Sequence, residues 1–231
     1  MPRLRPVPRL PDAARGFGRG LAALAYPALC LGCETRLADA AEALCPSCVR
    51  RIPRADAGAV ADRLAHAPVH RAVALWGFDR GGTVRRVQHA LKYGGRPSLG
   101  LALGAMLGAA AAHAGCAPDA VVPVPLSRLR QLERGYNQSA ALADGAAGRL
   151  GVPSARVVVR TRPTRAQTTL SAAERHRNVA GAFALSPGAD VAGRRILLVD
   201  DVLTTGATLA AAARPLIDAG ATVDVAALAM A

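Results

Sequence analysis

The sequence predicts an α/β fold, with a mostly parallel sheet flanked by helices and a small amino-terminal unit tied by four cysteines. Three observations carry this. Short apolar runs without alternation, such as Val157-Val158-Val159 and Ile196-Leu197-Leu198-Val199, suit strands buried on both faces. Alanine-rich helical stretches stand between these runs, joined by short loops. Two Cys-x-x-Cys pairs, Cys30/Cys33 and Cys45/Cys48, lie together near the amino end.

The cysteine pairs come first along the chain. Eleven residues separate them, and Gly32 and Pro46-Ser47 permit the tight bends of two knuckles. Four thiolates in this arrangement can enclose one tetrahedral Zn²⁺ in a closed, structural site with no position open to water. Two disulfides are the competing account, but the spacing is usual for metal sites in reducing compartments and no secretion signal accompanies it. Residues 1–54 thus form an amino-terminal segment with a zinc ribbon, 55–69 a linker or short helix, and 70–231 the α/β domain.

In that domain, Val73–Phe78 reads as a strand, followed by helices over about Thr83–Leu91 and Leu99–His113. Ala120–Pro125 is a strand whose closing prolines fit a sheet margin. A basic loop follows, with Arg128, Arg130 and Arg134, and then an alanine-rich helix ends near Leu150. Val157–Val159 is a further buried strand opening into a long polar loop with Arg160, Arg162 and Gln167; loops of such length usually serve a function. Ser171-Ala-Ala-Glu174 reads as a capping box. Ile196–Val199 is the fourth strand and Thr222–Leu228 the last.

The fourth strand carries the chemistry. It runs into Asp200-Asp201 at its carboxyl end, where parallel sheets place ligands. Thr204-Thr205-Gly206-Ala207-Thr208 then opens a helix, so free N–H groups and the positive end of the helix dipole face whatever fills the turn, which suits a phosphate. The acids can hold ribose hydroxyls or a magnesium-bound group. A Walker loop is excluded: the chain's one lysine is Lys92, and no Gly-Lys-Ser/Thr occurs.

Composition sets the remaining bounds. The chain of 231 residues suits one full domain with an appendage, and an apolar fraction of 52% with only 3% aromatics implies an aliphatic, alanine-rich core. Of its 29 basic residues 28 are arginine, and the formal charge is +13. Residues 1–55 and 156–177 are basic zones, whereas 196–231 is net negative. Two such zones could follow a nucleic-acid backbone or attract a polyphosphate; a solvated surface is the plainer account. Leu21–Pro27 imitates a signal peptide, but Pro27 interrupts it and cysteines follow at once, so a cytoplasmic protein without a membrane span is expected. Cys116 reads as an inert surface or half-buried thiol.

Residues 196–208 resemble the phosphoribosyl pyrophosphate (PRPP) motif of type I phosphoribosyltransferases. The cysteine pairs, Leu91-Lys92-Tyr93-Gly94, Val122-Pro-Val-Pro125, Arg134-Gly-Tyr-Asn-Gln138, Gln167 with Glu174-Arg175 and Asn178-Val179, and the 199–208 motif stand in the order of the ComF family, which the chain resembles from about Tyr26 to Met230. The resemblance implies a type I phosphoribosyltransferase fold behind a zinc ribbon, with an association with bacterial DNA uptake. It implies that Asp200 and Asp201 hold the ribose 2′- and 3′-hydroxyls and that Thr204, Thr205, Gly206, Ala207 and Thr208 cradle the 5′-phosphate of PRPP or another ribose phosphate, with Mg²⁺ accompanying PRPP. Lys92, Arg128 and Arg134 become candidates for the pyrophosphate, and Arg160, Arg162 and Gln167 for closure over a reacting centre. Three roles stay open: a DNA-uptake protein contacting single-stranded DNA, a working phosphoribosyltransferase of nucleotide salvage, and a docking module for a competence helicase. No residue pattern identifies an acceptor base, since a ring-binding hood needs aromatic platforms and this chain has few aromatics.

Overall fold

A computed structural model describes residues 28–39, 42–79, 82–162, 174, 178–179 and 181–231. Gln167, the capping box from Ser171 and the Leu21–Pro27 stretch lie outside the described residues.

The main sheet has four strands, all parallel: β1 (Arg71–Gly77), β2 (Ala120–Pro123), β5 (Arg195–Leu203) and β6 (Thr222–Met230), in the order β1-β6-β5-β2. Alternate residues of β5 show why its apolar run has no period. Leu197 and Val199 enter one core layer, Ile196 and Leu198 the other. The proline-bearing β2 lies at the edge, where a missing N–H costs no ladder bond.

The first layer is built by α4 (Pro97–His113) and α6 (Gln138–Leu150). Gly100, Gly104 and Gly108 recur every fourth residue on the face of α4 that meets α6, and an added Cβ at Gly108 would stand 2.8 Å from the Ala146 oxygen. Only glycine lets these backbones approach so closely, and the contact fixes where the amino end of α6 meets the sheet. The second layer holds α2 (Ala57–Leu64) and α7 (Ala207–Asp218), with Val60, Leu64, Leu209 and Leu216 against the opposite face. The segment read as a linker or short helix therefore carries a helix that packs on the sheet.

The cysteine unit includes α1 (Pro46–Arg51) and packs on the first layer, where Leu37, Leu44 and Ile52 share a core with Leu75 and Trp76. It leans on α3 (Thr83–Tyr93), whose Arg86 donates to the carbonyls of Leu31 and Gly32 at 2.7 and 3.1 Å. Asp79 caps α3, accepting from the N–H groups of Thr83 and Val84 at 2.8 and 3.0 Å.

Three local expectations change. Val157–Val159 is not a buried strand of the main sheet. β3 (Val158–Arg160) pairs antiparallel with β4 (Phe183–Leu185) in a separate ribbon, so only Val158 turns inward and Val159 faces solvent. β4 itself was not anticipated, because three residues between Gly181 and Ser186-Pro187 show no period. The expected basic loop after β2 is largely helical: α5 (Arg128–Arg134) starts where the Ser127 hydroxyl accepts from the Arg130 N–H and ends at Gly135, in the left-handed region at φ 74°.

Candidate functional site

Everything at the site hangs on the carboxyl ends of β5 and β2. Asp200 and Asp201 are both buried. The Asp200 Oδ1 accepts from the Ser139 hydroxyl at 2.8 Å and from the Asp201 N–H at 2.9 Å. Asp201 Oδ2 forms an ion pair with Lys92 Nζ at 2.7 Å. Burial, and then the neighbouring Asp201 charge, push the Asp200 carboxyl up to about 7. Burial beside a second acid thus favours the neutral form of this carboxyl, and bound hydroxyls or a cation would draw it back to the charged form.

The turn after β5 brings Thr204 and Thr208 to the same cavity as the acids. Gly206, at φ 77°, precedes the first turn of α7, and an added Cβ there would collide with the Arg63 carbonyl oxygen of α2. Arg63 in turn donates to the carbonyl oxygens of Thr204 and Ala231. The helix between the cysteine unit and the sheet therefore braces the phosphate-type loop from behind.

The cavity, of about 320 Å³, is also lined by Lys92, Arg130, Arg134 and Arg160. Burial, with the charge of Arg130 nearby, lowers the affinity of the Arg160 guanidinium for its proton. Crowding cations in this way favours an anion between them. Arg134 is held by the Gln138 side chain at 2.9 Å. The residues around it have defined tasks: Tyr136 donates to the Leu91 carbonyl beside Lys92, and Asn137 bonds the Val124 carbonyl while capping α6 through the Ser139 N–H. Arg134-Gly-Tyr-Asn-Gln138 thus staples α3, β2 and α6 around the cavity.

The structure gathers Asp200, Asp201, Thr204, Thr208, Lys92, Arg134 and Arg160 in one cavity. Thr205, Gly206 and Ala207 form the turn itself; the Ala207 N–H points to the Thr205 hydroxyl at 3.5 Å. Arg128 is exposed on α5 and does not line the cavity, while Arg130, two residues on, does. Arg162 is exposed and also stands outside that lining. Sequence reasoning missed Ser139 and Arg63; nothing near either signals a contact across so much of the chain. A larger groove of about 630 Å³ runs beside β1 and α4, but it holds no acid pair and no helix amino end.

The four cysteines pass a separate geometric test. Their sulfurs all lie within 4.8 Å of one another, with Cys33 and Cys45 at 3.7 Å; a tetrahedral zinc with bonds near 2.3 Å sets its sulfurs about 3.8 Å apart. Cys30 Sγ accepts the N–H groups of Gly32 and Cys45 at 3.4 and 3.2 Å, as a knuckle thiolate does. A Cβ at Gly32 would stand 2.7 Å from Cys48 Sγ, which accounts for glycine there. The Thr35 hydroxyl draws Cys33 down to about 6, whereas burial and then the other thiols push Cys48 up to about 12. The cluster can hold a metal such as zinc.

No helix among the described residues is long and apolar enough to cross a membrane. Residues 137–230 match the family described as the phosphoribosyl transferase domain, which covers the acid pair and its loop. Competence protein F of Haemophilus influenzae (strain ATCC 51907 / DSM 11121 / KW20 / Rd) is 43% identical over 94 residues, 40% of this chain and 41% of that protein. DNA utilization protein YhgH of Escherichia coli O157:H7 is 33% identical over 205 residues, 86% of this chain and 88% of that protein. Among solved structures, glutamine PRPP amidotransferase from B. subtilis, complexed with ADP and GMP, gives a TM-score of 0.42 at 26% identity over 60% of this chain and 30% of that one. With identity to YhgH sustained along most of both chains and the phosphoribosyl transferase domain beside the four-cysteine cluster, this chain belongs to the ComF family.

Proposed function

We propose that this protein binds PRPP, or another ribose 5-phosphate, at the carboxyl end of its sheet and serves in the handling of incoming DNA. The observation that carries the ligand is the buried acid pair in one cavity with a threonine-rich helix start and four basic side chains. Asp200 and Asp201 take the ribose hydroxyls. The N–H groups and hydroxyls of Thr204–Thr208 take the 5′-phosphate. Lys92 leaves Asp201 for the pyrophosphate, joined by Arg130 and Arg134, and Mg²⁺ would neutralise part of that charge when PRPP is bound. Arg160, which lines the cavity, supplies charge there, and Arg162 and Gln167 are candidates for closure over the reacting centre. If transfer occurs, the bond from C1′ to pyrophosphate breaks as an acceptor nitrogen bonds C1′, and these residues contribute orientation and charge stabilisation.

The role in DNA handling is supported by the names of two relatives, competence protein F and DNA utilization protein. Arg36, Arg50, Arg51 and Arg54 are exposed around the cysteine unit and suit contacts with the phosphates of single-stranded DNA or an acidic face of a helicase. Zinc in the unit is structural and the protein acts in the cytoplasm.

The test is calorimetric titration of the full chain with PRPP and Mg²⁺, and with ribose 5-phosphate. Binding is expected, and Asp200→Ala with Asp201→Ala should abolish it while circular dichroism shows the fold intact. Full affinity in the double variant, or no binding by the parent protein, would remove this assignment.

A further inference from the structure

β1 is an outer strand of the main sheet and pairs on one side only, with β6. Its backbone groups alternate between the two sides. The N–H groups of His70 and Phe78, which flank the strand, donate to Val223 and Met230 on the β6 side, whereas the Gly77 N–H points outward to the Pro53 carbonyl at 2.9 Å. On that outer side Arg54 bridges antiparallel to Trp76, so the chain itself covers the carboxyl end of the edge. It leaves at Asp56, whose carboxylate accepts the Ala59 N–H at 2.8 Å and caps α2. By the same alternation Arg71 and Val73 turn their N–H and C=O groups outward, and no backbone group among the described residues bonds them there.

The open stretch borders the groove of about 630 Å³ between β1 and α4, which Val73, Leu75, Met106 and Ala110 line. The ionisable side chains of that lining are Arg54 and His113, with no acid among them, and Arg71 is exposed at the amino end of the strand. The groove shares no lining residue with the sugar-phosphate cavity. We infer that the outer edge of β1 docks an extended segment of a partner protein, acidic at its ends and apolar between, which joins the sheet as a further strand. Main-chain bonds to Arg71 and Val73 hold the segment, an apolar side chain enters the groove beside Met106, and carboxylates meet Arg54 and Arg71. A second copy of this chain fits the edge poorly. Paired antiparallel about Val73, it would set its own Arg71 opposite Leu75 and so beside Arg54, and like charges placed in this way are destabilising. The formal charge of +13 favours an acidic partner in the same direction.

The test titrates the full chain into a short fluorescein-labelled peptide, with valine and threonine alternating at its centre and glutamates at both ends, and reads fluorescence anisotropy. This peptide should bind about 10-fold or more tightly than the same peptide with lysines in place of the glutamates. Val73→Pro removes the outward N–H and leaves the bonds to β6, a change that an edge strand tolerates. It should weaken the acidic peptide about 5-fold, with Tm and ribose 5-phosphate affinity retained. The unaltered protein gives an independent reading: methylating the peptide's backbone nitrogens one at a time should weaken binding at alternate positions only, as a strand paired on one side requires. Failure of the acidic peptide to bind, equal binding by the lysine peptide, or equal losses at every methylated position overturns the docking site. A dimer in light scattering that Val73→Pro dissociates would give the edge to a second copy, and overturns it as well.

Discussion

Adjacent strands of one sheet each carry a buried aspartate, and the two ends of the sheet treat them differently. Asp224, near the amino end of β6, is 2% exposed and is hydrogen-bonded to His70 Nδ1 at 2.8 Å. Its surroundings are closed by further pairs: Arg195 N–H donates to Asp119 at 2.8 Å, and Arg71 donates to the Gly115 carbonyl. Asp200, near the carboxyl end of β5, is 8% exposed and instead faces a second acid and an open cavity. A buried charge that is paired and enclosed is architecture; one held beside a like charge at a cavity is poised for a ligand.

Substituting these aspartates should move stability in opposite directions. Asp224→Ala removes the partner of His70 and leaves a small void beside Cys116, a thiol that burial and the Asp224 charge hold up at about 11. Breaking a fully buried ion pair costs several kcal/mol, but the His70 side chain is 45% exposed and water can replace part of the contact. The expected loss is about 2 kcal/mol, a fall in Tm of roughly 4–8 °C, with ribose 5-phosphate affinity unchanged. An unchanged Tm in thermal denaturation would show that the amino end does not depend on this pair.

Asp200→Asn should do the reverse. The folded protein holds this carboxyl near 7, above its ordinary value of 3.8. Its protonated form therefore favours folding: that contribution is complete below about 4 and disappears as pH rises through 7. Asparagine does not ionise, its Oδ1 can keep the Ser139 and Asp201 N–H contacts, and its amide can donate to Asp201. At pH 8 the variant should be more stable than the parent by a few kcal/mol, and the difference should vanish near pH 4. The same titration acts on the ligand: ribose 5-phosphate affinity of the parent should climb as pH rises through 7, because the ionised carboxylate accepts the sugar hydroxyls. A stability difference that does not depend on pH would refute the view of Asp200 as a strained charge.

What the sequence showed of these two ends differed for a physical reason. Ile196-Leu-Leu-Val199 followed by Asp-Asp is local: the strand, its two buried faces and the acids at its end are contained in one continuous stretch, and the cysteine knuckles are equally local. Asp224 and His70 are 154 positions apart, and only the register of β1 with β6 brings them together. Arg130 enters the cavity and Arg128 does not because α5 is a helix; with the segment read as a loop, neither could be preferred. Lys92 stood out as the chain's one lysine, but its partner Asp201 lies across the fold.

The carboxyl end can also be perturbed without removing a side chain that meets the ligand. Gly206→Ala places a Cβ on a residue at φ 77° and against the Arg63 carbonyl, so the turn must shift; a loss of about 2 kcal/mol in stability should come with weakened ribose 5-phosphate binding.

Arg63→Ala is the milder test of the same contact. Arg63 lies on α2, outside the cavity lining, and its guanidinium holds the carbonyl oxygens of Thr204 and Ala231. Removing it leaves the donors in place but frees the turn to sample other conformations, and each loss of preorganisation lowers affinity. Ribose 5-phosphate should bind about 5-fold more weakly, near 1 kcal/mol, with the pH dependence set by Asp200 retained. That retained profile is the discriminating readout. A brace changes how well the loop is held and leaves the titrating acid alone, whereas a pH profile displaced along with the affinity would show that Arg63 acts on the charge of the acid pair and not on the shape of the turn.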